Sequence, residues 1–191
     1  MTDRLARVLE DIYLRWNSRE FVHPDPLEFL YAYDNLQDRE IAGLTASGLA
    51  YGRVAQILGS VGTVLEALGP SPATVPEALM EERLAGFRHR FTSGADLARV
   101  LRGARRIQRD NGSIGGFVAE AVAEGGILEA QRRLAAGILG DGPPSSLLPC
   151  PTRGSCCKRL NLWFRWMVRR DSVDPGGWFG VSTSQLLIPL D

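Results

Sequence analysis

The chain has 191 residues, of which 45% are hydrophobic and 23% are charged, the balance of an ordinary globular protein. No apolar run approaches the length that crosses a bilayer, and residues 1–10 carry no apolar signal core, so we expect neither membrane segments nor an export signal. Three cysteines, two of them adjacent, make no disulfide framework and are typical of a reducing cytoplasm.

The net charge of zero conceals a strong segregation of charge along the chain. Residues 1–82 hold 6 arginines and 13 acidic residues, whereas residues 83–170 hold 16 basic and 6 acidic residues, a net charge of +10. A positive region of this size favours phosphate binding, because each neutralised phosphate releases counterions. The alternative is that these charges lie on solvated helix faces, and the charge pattern alone does not separate the two interpretations.

Apolar residues at helical spacing, together with capping and breaking signals, predict helices along most of the chain. The first runs from about residue 3 to Ser18, and Pro26 opens the next segment. Asp38 is the expected N-cap of a helix that ends near Leu49. Further helices are predicted over residues 53–67, 76–87, 93–109, 114–122, 127–139 and 156–170. Because no segment alternates with period two, we expect an all-α fold over residues 1–191, either one domain or two small lobes that share a cleft.

The last predicted helix carries the strongest pattern in the chain. Its apolar residues form one stripe that we expect to be buried, made of Leu160, Trp163, Phe164, Met167 and Val168. At about 100° per residue, Lys158, Arg165 and Arg169 lie together on the opposite side of the helix. Leu162 and Trp166 flank that side, which indicates a cleft.

Lys158 is the single lysine of the chain, since the other 21 cationic side chains are arginines. Arginine stays protonated, whereas a lysine can lose its proton and then act as a nucleophile. In the first turn of a helix, the helix dipole and the adjacent Arg159 both favour the neutral amine. The alternative interpretation is a lysine retained by chance that binds a phosphate.

Two irregular segments border this helix. A connection rich in proline, glycine and serine over residues 140–155 precedes it. After it, the apolar run Gln185–Leu190 ends at Asp191, a residue that suits the N-cap of a further helix. We therefore expect the sequence to be truncated at its C-terminus.

A resemblance is carried by three segments, Leu49–Val54, Ser155–Arg169 and Ile188–Asp191. They resemble a mainly bacterial family that carries a domain-of-unknown-function label. The same motifs are more distantly similar to the helix-hairpin-helix DNA glycosylases, including endonuclease III and the archaeal 8-oxoguanine glycosylase. Gly154 fits the first of the two hairpin glycines of those enzymes, whereas Cys156 replaces the second.

The glycosylase resemblance implies base excision from a nucleotide that is flipped out of the duplex. It places the Schiff-base nucleophile on Lys158 and the acid/base carboxylate on Asp191. Tyr51 and Arg53 are candidates for filling the vacated stack. The full set of candidate DNA-contacting residues is Tyr51, Arg53, Arg153, Arg159, Arg165 and Arg169.

The expected partner is double-stranded DNA with a damaged base. We expect no cofactor and no metal, because no histidine stands at ligand spacing from the cysteines and no glycine-rich phosphate loop is present. Two alternatives stay open, a non-catalytic nucleic-acid-binding protein on the same scaffold and a helical protein–protein adaptor with an acidic partner. A steep loss of DNA affinity with added salt would favour nucleic acid over the adaptor.

Overall fold

Seven α-helices make up most of the part of the chain that the structure describes. The computed structural model describes the backbone of residues 2–189 and the side chains of residues 4–189. The helices are α1 Thr2–Trp16, α2 Leu36–Gly48, α3 Val54–Leu68, α4 Glu77–Leu84, α5 Gly94–Asn111, α6 Ile114–Leu139 and α7 Lys158–Val168. Short 3₁₀ helices lie at Arg19–Phe21, Pro26–Ala32, Pro151–Arg153 and Thr183–Gln185. The predicted all-α class is confirmed.

One small β-hairpin departs from the expectation that the fold contains no strand. Strands β1 (Arg88–His89) and β2 (Thr92–Ser93) pair antiparallel, and we call residues 88–93 the β-hairpin. Each strand has only two residues, which is too short for a period-two alternation to be recognised in a sequence. Arg90, in the two-residue connection, has a left-handed backbone with φ of +53°.

Side-chain caps determine where several helices begin. The Oδ1 atom of Asn35 accepts a hydrogen bond from the backbone N–H of Asp38 at 3.1 Å, so Asn35, and not Asp38, caps α2. Asp38 instead accepts from the backbone N–H of Ala73 at 2.9 Å, which ties the α3–α4 connection to α2. Ser93 caps α5, close to the predicted start of that helix, and Ser113 caps α6.

Helix α6 joins two segments that the sequence predicts as separate helices. Gly126 lies inside it with φ of +76° and ψ of −177°, a conformation that makes a kink and that favours glycine. The helical hydrogen bonding resumes beyond the kink, and α6 packs along α5 over much of its length.

The core forms where α2 packs against α7 and α5 packs against α6. The predicted apolar stripe of α7 is buried throughout, and Trp163 and Phe164 both meet Trp178 edge-on, with ring centroids 5.1 Å apart in each pair. Trp166 is also buried, and together with Leu162 it lines a small pocket of about 230 Å³ beside the 3₁₀ helix at Arg19–Phe21.

A buried carboxylate fixes the start of α6. Glu40 of α2 is fully buried, and its two oxygens accept four hydrogen bonds. The donors are Gln108 Nε2 (2.8 Å), Ile114 N (3.0 Å), Gly115 N (2.8 Å) and Trp178 Nε1 (2.8 Å). Burial raises the pKa of Glu40 and the four donors oppose that rise. The carboxylate thereby joins α2, α5, α6 and the segment that carries Trp178.

Helix α1 leaves its apolar face open to solvent. Among the described residues the exposed apolar side chains of this helix are Leu5, Val8, Leu9, Ile12, Tyr13, Leu14 and Trp16. The helix is tied down at its end, where the Tyr13 hydroxyl donates to Asp171 Oδ2 at 3.2 Å and Asn17 Nδ2 donates to Ser172 Oγ at 3.1 Å. Within residues 2–189, the helices are all too short or too polar to cross a bilayer.

Candidate functional site

A pocket of about 760 Å³ lies along one side of α7, and we call it the α7 pocket. Its walls are formed by Tyr13, Lys158, Asn161, Leu162, Arg165, Arg169, Arg170, Asp171, Thr183 and residues 186–189. The structure therefore brings together Lys158, Arg165 and Arg169, as their helical spacing predicts. Leu162 also borders the pocket, as expected.

Lys158 is the first residue of α7, and its side chain is exposed. The residue before it, Cys157, has a left-handed backbone with φ of +51°. The predicted helix start at Cys156 is thus two residues too early. The first turn of α7, with Lys158, therefore lies at the pocket. The positive end of the helix dipole there opposes additional positive charge.

Asn161 holds this turn in place and was missed in the sequence. It is buried, and its Nδ2 donates to the carbonyl oxygens of Cys156 (3.2 Å) and Cys157 (3.1 Å). Its Oδ1 accepts from Gln131 Nε2 of α6 at 2.6 Å. An asparagine one helical turn after Lys158, among apolar residues, is the signal that would have identified it.

Two arginines of the α7 pocket, Arg165 and Arg169, are paired with two aspartates of the segment that follows α7. Asp174 is fully buried, and its Oδ2 lies 3.3 Å from Arg165 Nε and 3.1 Å from Arg169 Nε. Burial raises the pKa of Asp174, against the lowering effect of the two arginines. These pairs hold Arg165 and Arg169 in the pocket wall.

Asp171 forms the second acidic anchor. Burial raises the pKa of Asp171. Hydrogen bonds from the backbone N–H groups of Asp174 and Val173, together with the guanidinium of Arg169, outweigh that rise and lower the pKa to about 2. Its Oδ2 lies 2.5 Å from Arg169 Nη2. Neither aspartate was predicted, because both contacts join residues of an irregular segment to α7.

A 3₁₀ helix and a left-handed turn precede α7, and a glycosylase-type hairpin stays a prediction. Arg153 is exposed at the end of the 3₁₀ helix Pro151–Arg153, and Gly154 follows with a left-handed φ of +72°. Gly154 therefore makes a left-handed turn, and its assignment as a hairpin glycine stays a prediction. DNA contact by Arg153 stays a prediction.

Arg159 faces the other way from Lys158, into the protein. Its guanidinium donates to the carbonyl oxygens of Gly48 and, at 2.5 Å, Ser146, and lies 4.8 Å from the ring centroid of Tyr51. Burial lowers the pKa of Arg159. This arginine joins α7 to the end of α2, and its expected DNA contact stays a prediction.

Tyr51 is half-buried against the β-hairpin. Its hydroxyl donates to the carbonyl oxygen of His89 at 2.9 Å and lies 2.7 Å from Thr92 Oγ1. Its ring stacks on Phe91, with centroids 4.8 Å apart and planes 16° apart. Arg53, the residue before α3, is exposed. The outermost aromatic here is Phe91, which the sequence analysis did not identify.

Asp191 lies outside the described residues. Pro189, two residues before it, lines the α7 pocket with Lys158. Within the described part of the chain, three or more histidine, cysteine or acidic side chains nowhere cluster closely enough to hold a metal ion.

Comparison with known families finds a match over most of the chain. The family model described as "Protein of unknown function (DUF2400)" matches residues 25–191, which is most of the chain. No curated protein and no solved structure shows significant similarity. The extent of the family match shows that the chain belongs to the DUF2400 family of proteins of unknown function.

Proposed function

We propose that this protein excises damaged bases from double-stranded DNA, with Lys158 as the nucleophile and Asp191 as the acid/base group. One observation carries the proposal: the single lysine of the chain opens α7 and lines the α7 pocket. A volume of about 760 Å³ is within the range of about 300–1,000 Å³ that is typical of small-molecule sites. It is sufficient for a flipped nucleotide.

The chemistry needs an amine and a carboxylate. Lys158 Nζ attacks C1′ of the flipped nucleotide, the C1′–N bond to the base breaks, and the base leaves with that electron pair and gains one amine proton. The C1′–O4′ bond then breaks, the second amine proton moves to O4′, and an imine joins Nζ to C1′. Asp191 stabilises the developing positive charge on the sugar and relays these protons. Water hydrolyses the imine, so the sequence of steps consumes no oxidant or reductant.

Three features of the pocket support these roles. Arg165 and Arg169 lie in the wall beside Lys158, and Asp174 holds them in position for contact with phosphates that flank the nucleotide. Asn161 fixes the turn from which Lys158 projects. The chain that leads to Asp191 runs along the same pocket as far as Pro189.

Borohydride trapping tests the proposal directly. The wild-type protein, incubated with a duplex that contains an abasic site and then reduced, is expected to form a covalent protein–DNA adduct. Duplexes with uracil, 8-oxoguanine or thymine glycol test base removal itself. Lys158→Arg preserves the positive charge but cannot form the imine, and it is expected to abolish the adduct.

The single lysine makes the location of an adduct unambiguous. The only other primary amine of the chain is its N-terminal amine, and peptide mapping distinguishes an adduct there from one at Lys158. An Arg109→Lys variant, which adds a second, exposed lysine outside the α7 pocket and outside the candidate DNA contacts, is the matched control and is expected to trap only at Lys158. Trapping that is unchanged in Lys158→Arg, or no adduct with any of these duplexes, would overturn the proposal.

Two other functions are each favoured by one observation. The exposed arginines around the β-hairpin suit a nucleic-acid-binding protein without catalysis, which would bind duplex DNA and form no adduct. The exposed apolar face of α1 suits a protein–protein adaptor, which would bind no DNA at any salt concentration. The same trapping and binding measurements therefore separate all three functions.

A further inference from the structure

We propose that the β-hairpin is a second DNA-contacting element, in which Phe91 stacks on a base and Arg88 and Arg90 bind adjacent phosphates. This inference rests on the proposed function, because it takes duplex DNA as the ligand. Phe91 then stacks on the base, a role for which Tyr51 and Arg53 are the candidates from the sequence.

Phe91 is presented to solvent on a supported platform. It is 63% exposed, an unusual state for a phenylalanine that is also stacked on another ring. Beneath it, Tyr51 is fixed by its hydrogen bond to His89 and by the guanidinium of Arg159. An exposed ring whose back is already packed loses little conformational freedom when its other surface meets a base.

His89 locks the β-hairpin to the body of the protein. Its Nε2–H donates to the carbonyl oxygen of Tyr51 at 3.0 Å, since a carbonyl can only accept. Its Nδ1 lies 2.8 Å from Ser60 Oγ of α3. The β-hairpin is therefore held at two points and presents Phe91 in a fixed position.

The arginines of this region are available to a ligand. Arg53, Arg88 and Arg90 are all exposed, and within the described part of the chain none of the three forms an ion pair. Arg90 lies over the backbone of Gly52, where a Cβ atom would come within 3.2 Å of its Nη1 atom. An exposed cation without a carboxylate partner can bind a phosphate without first breaking an ion pair, and the phosphate then releases counterions.

A polar groove of about 490 Å³ runs beside the β-hairpin. The arginines Arg88 and Arg90 form one wall, and Gln56, Ser60 and Thr63 of α3 form the other. Among the described residues that line this groove there is no carboxylate. A groove with cationic and neutral polar groups and no negative charge suits a sugar–phosphate backbone.

The β-hairpin is connected to the α7 pocket through a short chain of contacts. Arg159 follows Lys158 directly and packs on Tyr51, which in turn stacks on Phe91. A duplex bound at Lys158 that also reaches this surface places a base against the exposed ring of Phe91.

The test compares Phe91→Ala with Phe179→Ala, a matched control because Phe179 is also an exposed phenylalanine (73% exposed) in a different segment. Binding of each full-length variant to an abasic-site duplex is measured by fluorescence anisotropy. Phe91→Ala is expected to weaken binding about 10-fold, and Phe179→Ala to leave it unchanged. Phe91→Trp, which retains a stacking ring, is expected to bind as the wild type does.

The outcomes separate this inference from the proposed function. If the wild type forms the Lys158 adduct and Phe91→Ala binds as tightly as the wild type, the inference fails and base excision stands. If Lys158 forms no adduct but Phe91→Ala still loses affinity, base excision fails and the DNA-contacting role of Phe91 stands. No binding of the wild type to duplex DNA, or tighter binding to single-stranded RNA, overturns the inference.

Discussion

The α7 pocket and the β-hairpin are both rich in arginine, but they use arginine in opposite ways. At the pocket, Arg165 and Arg169 are paired with Asp174 and Asp171. At the β-hairpin, Arg88 and Arg90 form no ion pair within the described part of the chain. The first arrangement positions the wall of a site, and the second keeps its charge available to a ligand. Net charge alone does not distinguish them.

This difference has a measurable consequence. Where charges are paired inside the protein, removing one partner costs stability, because the other is left without its counter-charge. Where charges face solvent unpaired, removing one costs little stability and lowers affinity for an anionic ligand instead. Four substitutions test this contrast, in order of decreasing expected effect on the free energy of unfolding.

Asp174→Asn is expected to have the largest effect. The substitution keeps the shape of a fully buried side chain but removes the charge that Arg165 and Arg169 share. We expect the free energy of unfolding to fall by about 3 kcal/mol, measured by urea denaturation. Asp110→Asn, at an exposed pair with Arg109, is the control and is expected to cost less than about 1 kcal/mol. If the two substitutions lower the free energy of unfolding equally, the buried pairs of the α7 pocket contribute no more stability than an exposed pair does.

Asn161→Ala is expected to cost about 2 kcal/mol. It removes the donor to the carbonyls of Cys156 and Cys157 and leaves the buried Gln131 amide without its acceptor. Because the same turn positions Lys158, the yield of the borohydride adduct should fall as well. Asn111→Ala, at an exposed asparagine that also donates to a helix carbonyl, is the control and should change neither quantity appreciably. A normal adduct yield in Asn161→Ala would show that the turn is not needed to position the amine.

Asp171→Asn is expected to cost about 1 kcal/mol at neutral pH, with a specific dependence on pH. The folded-state pKa of about 2 is below the unfolded value of about 3.9. The ionised carboxylate therefore contributes stability that is fully present above pH 4 and is lost as the pH falls towards 2. Urea denaturation at pH 7 and at pH 3 should show the difference between wild type and variant shrinking at the lower pH. If the difference in the free energy of unfolding between wild type and variant is the same at both pH values, the charge of Asp171 does not contribute to stability.

Much of the fold follows from local patterns in the sequence. The stripe of α7, the start of α5 near Ser93 and the shared side of Lys158, Arg165 and Arg169 all depend on residues within a few turns of one another. Periodicity and capping are signals of that range, so they predict these features well.

The missing parts depend on contacts made by loops and short strands, which carry no periodic signal. Asp174 reaches α7 from an irregular segment, and Phe91 gains its platform from Tyr51, 40 residues earlier in the chain. Short strands and loop-to-helix ion pairs leave no periodic pattern. The exposed face of α1 shows the converse, because amphipathic spacing predicts a helix but does not tell whether its apolar face is covered.

The double substitution Arg88→Gln/Arg90→Gln is expected to change stability least and DNA binding most specifically. Both side chains are exposed and unpaired within the described residues, so the free energy of unfolding should change by less than about 0.5 kcal/mol. If each arginine neutralises one phosphate, the slope of log Kd against log salt should decrease by about 2. Arg109→Gln/Arg132→Gln removes the same charge from two arginines that are paired with Asp110 and Glu129, and it should leave the slope unchanged. Equal slopes in the two double variants would mean that the total charge of the protein, and not the β-hairpin, determines how its DNA affinity depends on salt.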